Sequence, residues 1–158
     1  MVLSFSPAEE AFRAELRTWL AAHAPTGPAP EGLADEVAFL RDWQRRLHAG
    51  GWIGIHWPRE HGGRGASVIE HYPFHEEMAA ARAPEIINRI GVNLVGPTLI
   101  AHGTEAQKRR FLPPLMPAEE LWCQLFSEPG AGSDLTALRT RAERRGAGWV
   151  VTGQKVWT

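Results

Sequence analysis

The stretch LWCQLFSEPGAGSDLTALRTRAERRGAGWVVTGQKVWT, residues 121–158, decides the fold. Short runs rich in aromatic and β-branched residues, LWCQLFS, ALRTRAE, WVVT and KVWT, succeed one another between glycines and polar residues, which is strand texture. Leu138, Thr140 and Ala142 alternate with Arg139, Arg141 and Glu143, and Arg145, Gly146, Ala147 and Gly148 supply a hairpin connection. The final run reaches Thr158 still within a strand pattern, leaving a β-region with an unpaired edge. An edge of that kind is normally covered, so the pattern predicts a truncated chain.

Working back from Leu121, the texture is helical. Ser6, Pro7 and Glu9 make a capping box with proline at the first helical position, and Phe12, Leu16, Trp19 and Leu20 repeat at helical spacing, predicting a helix to about Ala24. A breaker-rich loop, Pro25 to Pro30, precedes a second stripe of Val37, Leu40, Trp43 and Leu47, which Gly50 and Gly51 stop. Ser67 and Glu70 propose a third helix start, with a kink or a delayed start expected at Pro73. Pro84 and Glu85 open a fourth helix through Ile90, with a break near Gly96 and Pro97 before His102. Thr104 and Gln107 begin a fifth, which Pro113, Pro114 and Pro117 end. The architecture expected is a mainly α domain over residues 1–118, then the beginning of an antiparallel β-domain over 119–158.

Seventeen Lys and Arg against eighteen Asp and Glu give a formal charge of −1, with 44% hydrophobic residues, seven Trp and six Phe. That composition excludes disorder and offers no basic footprint for nucleic acid or for charge-driven membrane binding. The single Cys123 cannot close an intramolecular disulfide, which fits a reducing compartment and makes the cytoplasm the default. The start, MVLSFSPAEE, has no signal-peptide pattern, and the apolar stretch IGVNLVGPTLIA is interrupted by Asn93, Gly96 and Pro97, so no membrane insertion is expected.

The run SEPGAGSD, Ser127 to Asp134, follows the first predicted strand. Gly130 and Gly132 flank Ala131, and Ser133 and Asp134 follow, so the backbone can be approached closely and can present N–H and hydroxyl donors to a phosphate or pyrophosphate. Leu135 stands where a third glycine of a dinucleotide fingerprint would be, and no helix pattern follows, so a Rossmann reading fails. A plain turn at Pro129–Gly130 explains the glycines equally well. Gln124, Phe126 and Ser127 on the preceding strand add an amide, an aromatic wall and a hydroxyl. Trp157 in the sheet region fits either a planar-ring contact or sheet packing.

Other constellations carry less. His56, His61, His71 and His75 invite a metal, but Pro73 lies between the last two and there is no HExxH; solvated or capping histidines explain them better. Glu76 and Glu77 are adjacent and point about 100° apart on a helix, so they read as a charged face and not as paired catalytic carboxylates. Trp19 and Trp43 fall on apolar stripes and read as core. Neither GxSxG nor a phosphate loop ending in Gly-Lys-Ser/Thr occurs.

Four segments taken together, GWIGIHWPREHGGRGAS (51–67), HGTEAQKRRFLPPL (102–115), WCQLFSEPGAGSD (122–134) and GWVVTGQKVWT (148–158), resemble the amino-terminal and central parts of acyl-CoA dehydrogenases, in order and over nearly the whole chain. The resemblance implies a helical domain, a central β-domain and a C-terminal four-helix bundle, of which this chain holds the first and part of the second. It implies FAD and the oxidation of an acyl-CoA thioester to its trans-2-enoyl product, a step of lipid metabolism. Gln124, Phe126, Ser127, Gly132, Ser133 and Trp157 are then the cofactor contacts, with Ser127 at the flavin edge, Gly132 and Ser133 by the pyrophosphate, and Ser133 also reaching the substrate's pantetheine arm. Gln124 departs from an aromatic residue common in the family. The resemblance places the catalytic carboxylate in the C-terminal bundle, so no base is assigned here, the 158 residues alone are expected to be inactive, and Glu128 is read as structural. Electron-transferring flavoprotein and a homo- or hetero-oligomer are the implied partners. An acyl-CoA oxidase, and a non-catalytic subunit that completes an oligomer or binds acyl-CoA, are the alternative readings.

Overall fold

The computed structural model describes residues 4–157, in two compact units, Met1–Trp122 and Cys123–Thr158. In the first, helices α1 (Pro7–His23), α2 (Leu33–Ala49), α3 (Val68–Ala80), α4 (Gly96–His102) and α5 (Glu105–Leu115) surround one core. The expected capping boxes form reciprocally. Ser6 Oγ accepts from the Glu9 amide at 3.4 Å while Glu9 Oε2 accepts from the Ser6 amide at 2.6 Å, and the same exchange joins Ser67 to Glu70 and Thr104 to Gln107. Each satisfies amides that a helix start leaves orphaned, worth about 1 kcal/mol.

The end of α2 brings an aromatic ring into the core. Gly51 takes φ 70°, its amide bonds the His48 carbonyl, and the Trp52 amide returns to Leu47 at 2.7 Å. This is a Schellman closure, and its hydrophobic pair, Leu47 and Trp52, is fully buried. Arg64 stacks on the Trp52 ring at 3.6 Å and donates to the Gly51 carbonyl at 2.7 Å. Trp43, on the α2 stripe, is buried as expected, and its Nε1 donates to the Pro84 carbonyl at 2.8 Å.

Three proline expectations need correction. The third helix starts at Val68 without delay and passes through Pro73. Pro113 and Pro114 lie inside α5, which ends only at Leu115. In each case the carbonyl that loses its helical donor belongs to an exposed residue, Ile69, Arg109 or Arg110, where water can take the place of the bond. The third correction concerns the fourth helix. It does not open at Pro84, and instead of breaking at Gly96–Pro97 it enters α4 through a π-helical turn, Gly91–Val95, in which the Gly96 amide bonds the Gly91 carbonyl. A π turn before proline takes up the ring that would otherwise strike the preceding turn.

In the second unit, β1 (Arg141–Arg145) and β2 (Gly148–Thr152) pair antiparallel, with Arg145 opposite Gly148 and Gly146 at φ 61° in the turn. The predicted hairpin is present, but LWCQLFS and residues 154–157 are not in strands, because neither has a ladder partner among the described residues. The strand expected over ALRTRAE begins only at Arg141, after a short 3-10 turn at Leu135–Ala137. Both observed strands are exposed on both faces, so the alternation read from Leu138 to Glu143 marks no buried side. Thr158 lies outside the described residues.

Candidate functional site

The predicted cofactor loop is built around a buried carboxylate. Glu128 and Ala131 exchange backbone bonds, Glu128 amide to Ala131 carbonyl at 2.8 Å and Ala131 amide to Glu128 carbonyl at 3.1 Å, which closes the turn over Pro129 and Gly130. The Glu128 side chain points back to accept from the amides of Arg139 at 2.7 Å and Thr140 at 2.9 Å and from Lys155 Nζ at 2.9 Å. The neighbouring Thr140 hydroxyl, though not aligned for a hydrogen bond of its own, then the Arg139 amide, the Lys155 ammonium and the Thr140 amide hold this carboxyl at about 2. Glu128 therefore ties the base of the loop to β1 and to the segment after β2, while Gly130, Gly132 and Ser133 stay exposed at its tip.

Lys155 Nζ also donates to the Phe126 carbonyl at 2.9 Å, and the Val156 amide donates to the Ser127 carbonyl at 3.0 Å. These bonds join the segment before the loop, at Phe126 and Ser127, to the segment after β2, at Lys155 and Val156, although neither segment is a strand. Phe126 and Trp157 are exposed, Trp157 at 93%, and Gln124 and Ser127 are half-buried. With no pleat over 122–127, the shared face assumed for Gln124, Phe126 and Ser127 is not set by strand alternation. Around Gly130 and Gly132 nothing lies within 4 Å of where a Cβ would sit. The tip thus leaves its backbone amides and the Ser133 hydroxyl open to a ligand's charged oxygens, a donor set that suits a pyrophosphate.

The helical unit holds a cleft of about 1050 Å³ that the sequence reading missed. Trp52, Ile55, Phe74, Met78, Ile86 and Val92 give it apolar walls. His56, His71 and His75 line it too, with ring centroids 5.5 Å apart for His56–His71 and 6.3 Å for His71–His75. Burial, and then a neighbouring imidazole, push both His56 and His71 below the usual histidine range. His56 and His71 are half-buried cleft-lining groups and not the solvated or capping histidines expected, whereas His75 is exposed at the cleft. Among the described residues no group of three or more His, Cys, Asp or Glu side chains is placed to hold a metal ion.

Glu77 also corrects the sequence reading. It is not part of a solvated face: its carboxylate is buried, accepting from Arg13 Nε at 2.8 Å and from Arg17 Nη2 and Nε at 2.7 and 2.9 Å. Arg17, then Arg13, lower its pKa against the opposing effect of burial. Glu76 pairs with Arg13 beside it. Both carboxylates fasten α3 to α1.

A further network has no local sequence signal. Gln44 and Asn88, both fully buried, bond each other and the end of α5. Gln44 Nε2 donates to the Met116 carbonyl at 2.8 Å, Gln44 Oε1 accepts from the Asn88 amide at 3.0 Å, and Asn88 Nδ2 donates to the Leu115 and Glu120 carbonyls, both at 2.9 Å. Asn88 Oδ1 accepts from the Trp122 amide at 3.0 Å. These amides satisfy carbonyls that a helix C-terminus leaves free.

No helix among the described residues is long and apolar enough to cross a membrane. The family model described as acyl-CoA dehydrogenase, N-terminal domain, matches residues 6–119. Acyl-CoA dehydrogenase IpdE1 of Mycobacterium tuberculosis is 51% identical over 156 residues, covering 94% of this chain and 40% of its own length. The ChsE4–ChsE5 complex of Mycobacterium tuberculosis superposes with a TM-score of 0.79 at 37% identity, over 100% of this chain and 40% of the matched one. The Tcur3481–Tcur3483 steroid ACAD gives 0.76 at 35% identity, over 99% and 41%. The chain thus spans about 40% of the length of the relatives it matches, and it belongs to the acyl-CoA dehydrogenase family.

Proposed function

We propose that this chain is the amino-terminal part of a FAD-dependent enzyme that oxidises an acyl-CoA thioester to its trans-2-enoyl-CoA. The observation that carries the reading is the Glu128-anchored loop. Its base is fixed by bonds to Arg139, Thr140 and Lys155, and its tip is open at Gly132 and Ser133.

In this reading the amides around Gly132 and the Ser133 hydroxyl bind the pyrophosphate of FAD, and Ser133 also reaches the pantetheine arm of the substrate. Ser127 donates its hydroxyl at the edge of the flavin ring, where Gln124 and Phe126 also make contact, and Trp157 covers the ring and excludes water. FAD, when bound, supplies the hydride acceptor. The loop needs no conformational search to meet the cofactor, because Glu128 has already fixed its ends. On the family resemblance, the carboxylate that removes the α-proton lies outside these residues; Glu76, Glu77 and Glu128 are engaged in ion pairs with Arg13, Arg17 and Lys155.

The apolar cleft of the helical unit takes the acyl group. Its size, at the upper end of ordinary ligand pockets, and the similarity to a steroid ACAD favour a bulky carbocyclic acyl chain over a short straight one. Acyl-CoA and electron-transferring flavoprotein are the partners, and a homo- or hetero-oligomer the working form; a related chain occurs in a complex of two subunits.

The test is steady-state turnover of the enzyme carrying this chain, with a carbocyclic acyl-CoA and a dye acceptor. Dye reduction with enoyl product, without peroxide, supports the reading; peroxide formation identifies an oxidase, and acyl-CoA binding without turnover identifies a non-catalytic subunit. Ser133→Ala is expected to weaken FAD or thioester binding by about 1 kcal/mol, the value of a neutral hydrogen bond.

A further inference from the structure

The cofactor contacts proposed above sit on three pieces of the second unit: Gln124, Phe126 and Ser127 before the loop, Gly132 and Ser133 at its tip, and Trp157 after β2. The segments before the loop and after β2 belong to no ladder among the described residues, so no run of strand hydrogen bonds sets one against the other. Two bonds join them instead. The Val156 amide donates to the Ser127 carbonyl at 3.0 Å, and Lys155 Nζ donates to the Phe126 carbonyl at 2.9 Å. One bond alone leaves a pivot; the second, one residue back along each segment, removes that rotation.

The same ammonium has a second partner. It donates to Glu128 Oε1 at 2.9 Å, and Glu128 is the residue whose backbone closes the base of the loop. Both charges are withdrawn from solvent, the Lys155 side chain to 17% exposure and that of Glu128 to 7%. Stability alone does not account for such a pair, since a buried ion pair roughly breaks even against apolar side chains of similar volume. What it supplies is geometry: the loop base, the segment before the loop and the segment after β2 meet at one group. Glu128 does not need Lys155 to stay tied to β1, because the amides of Arg139 and Thr140 bond its carboxylate at 2.7 and 2.9 Å. Removing the ammonium therefore frees the ring-contacting segments from the loop and leaves the loop itself anchored.

We propose that Lys155 is a positioning residue for the cofactor: its ammonium, bonded at once to the Phe126 carbonyl and to Glu128, fixes the separation between the pyrophosphate loop and the ring-contacting segments, so that the two halves of the dinucleotide are bound as one ligand. This rests on the FAD reading above and goes beyond it by naming the side chain that makes two subsites one. A two-part ligand gains from its linker only where the subsites are held at a span the linker can bridge. Where that separation fluctuates, each half binds as before and the joined molecule loses its advantage.

The probes are riboflavin, ADP and FAD, titrated by calorimetry into the flavin-free form of the enzyme carrying this chain. The ratio of the FAD association constant to the product of the other two measures the coupling between the subsites. In Lys155→Met, and in Lys155→Gln, which stays polar and guards against a folding defect in the first, riboflavin and ADP are expected to bind within about threefold of wild type while FAD binding falls about tenfold or more. Lys155→Arg, which keeps the charge and has N–H groups enough for both acceptors, is expected to retain most of the coupling. A lysine that only stabilised the unit would lower both halves along with FAD, and that result overturns the inference. An unchanged ratio in Lys155→Met and Lys155→Gln, or a loss in Lys155→Arg equal to theirs, overturns it too and leaves the FAD reading intact. Wild-type enzyme that binds neither FAD nor its halves removes the reading beneath it, and the inference with it.

Discussion

The indole Nε1 of Trp57 donates to the carbonyl of Val92 at 2.9 Å. That carbonyl has no helical partner. Its α-helical donor, the Gly96 amide, is bonded to Gly91 across the π turn, and its π-helical donor would be Pro97, which has no N–H. The ring also lies so close to Gly96 that a methyl there would overlap it. Trp57 thus replaces a missing backbone donor, which is how the chain runs through Gly96–Pro97 without breaking.

Trp57→Phe removes the indole N–H together with part of a fully buried ring, stranding a buried carbonyl and leaving a small cavity. A loss of about 1–3 kcal/mol is expected in denaturant unfolding of the helical unit. A change within experimental error would mean that another group supplies the bond.

At the end of α3, Arg82 adopts φ 50° while its amide bonds Ala79 and the Ala83 amide returns to Met78. This is the left-handed closing position that glycine normally fills. Arg82→Gly relieves the Cβ strain, offset in part by glycine's greater freedom when unfolded, so a stabilisation of about 0.5–1 kcal/mol is expected. A thermal midpoint that stays level or falls argues that the Arg82 side chain contributes more than its backbone costs.

Glu77 joins α1 to α3 through Arg13 and Arg17. Glu77→Gln leaves two guanidiniums facing a neutral amide. Arg17 is well exposed and can rehydrate, so a loss of about 2–3 kcal/mol is expected, below the full cost of breaking an entirely buried pair. A double-mutant cycle with Arg13→Gln should show coupling between the sites; additive losses would separate Glu77 from Arg13.

The pH dependence of the two units should differ in position. Glu128 sits at about 2 when folded, below the ordinary carboxylate value of about 4.3. Its contribution is therefore complete above about pH 4.3 and lost as pH falls towards 2, and Glu128→Gln should flatten that part of the curve. His56 and His71 are also lowered, and a histidine held neutral in the fold contributes fully above its unfolded value of about 6.5. That contribution fades as pH drops from there towards the folded values. The helical unit should therefore begin to lose stability in a mildly acidic range where the hairpin unit does not. Backbone hydrogen exchange across the pH series, read for each unit separately, checks both signs.

What the sequence reveals follows how local each cause is. Capping boxes at Ser6, Ser67 and Thr104 span three residues, and the hairpin turn at Gly146 spans two, so they are readable directly. Proline misleads because its effect depends on where the orphaned carbonyl points: exposed behind Pro73, Pro113 and Pro114, and served by a distant indole near Pro97. The Gln44–Asn88 network, the burial of Glu77 and the meeting of His56 with His71 all depend on contacts distant in sequence, with no periodicity to mark them. Among the site residues, the composition of SEPGAGSD points to an open turn, but that Glu128 holds it depends on Arg139, Thr140 and Lys155 folding back. The strands expected before and after it find no ladder partner among the described residues.

The position of FAD is the decisive measurement. A crystal structure of the enzyme carrying this chain, grown with FAD and a carbocyclic acyl-CoA, should show the pyrophosphate against the amides at Gly132 and the Ser133 hydroxyl, with the flavin ring between Ser127 and Trp157. A pyrophosphate bound elsewhere, or a loop tip filled by the protein's own side chains, would contradict it.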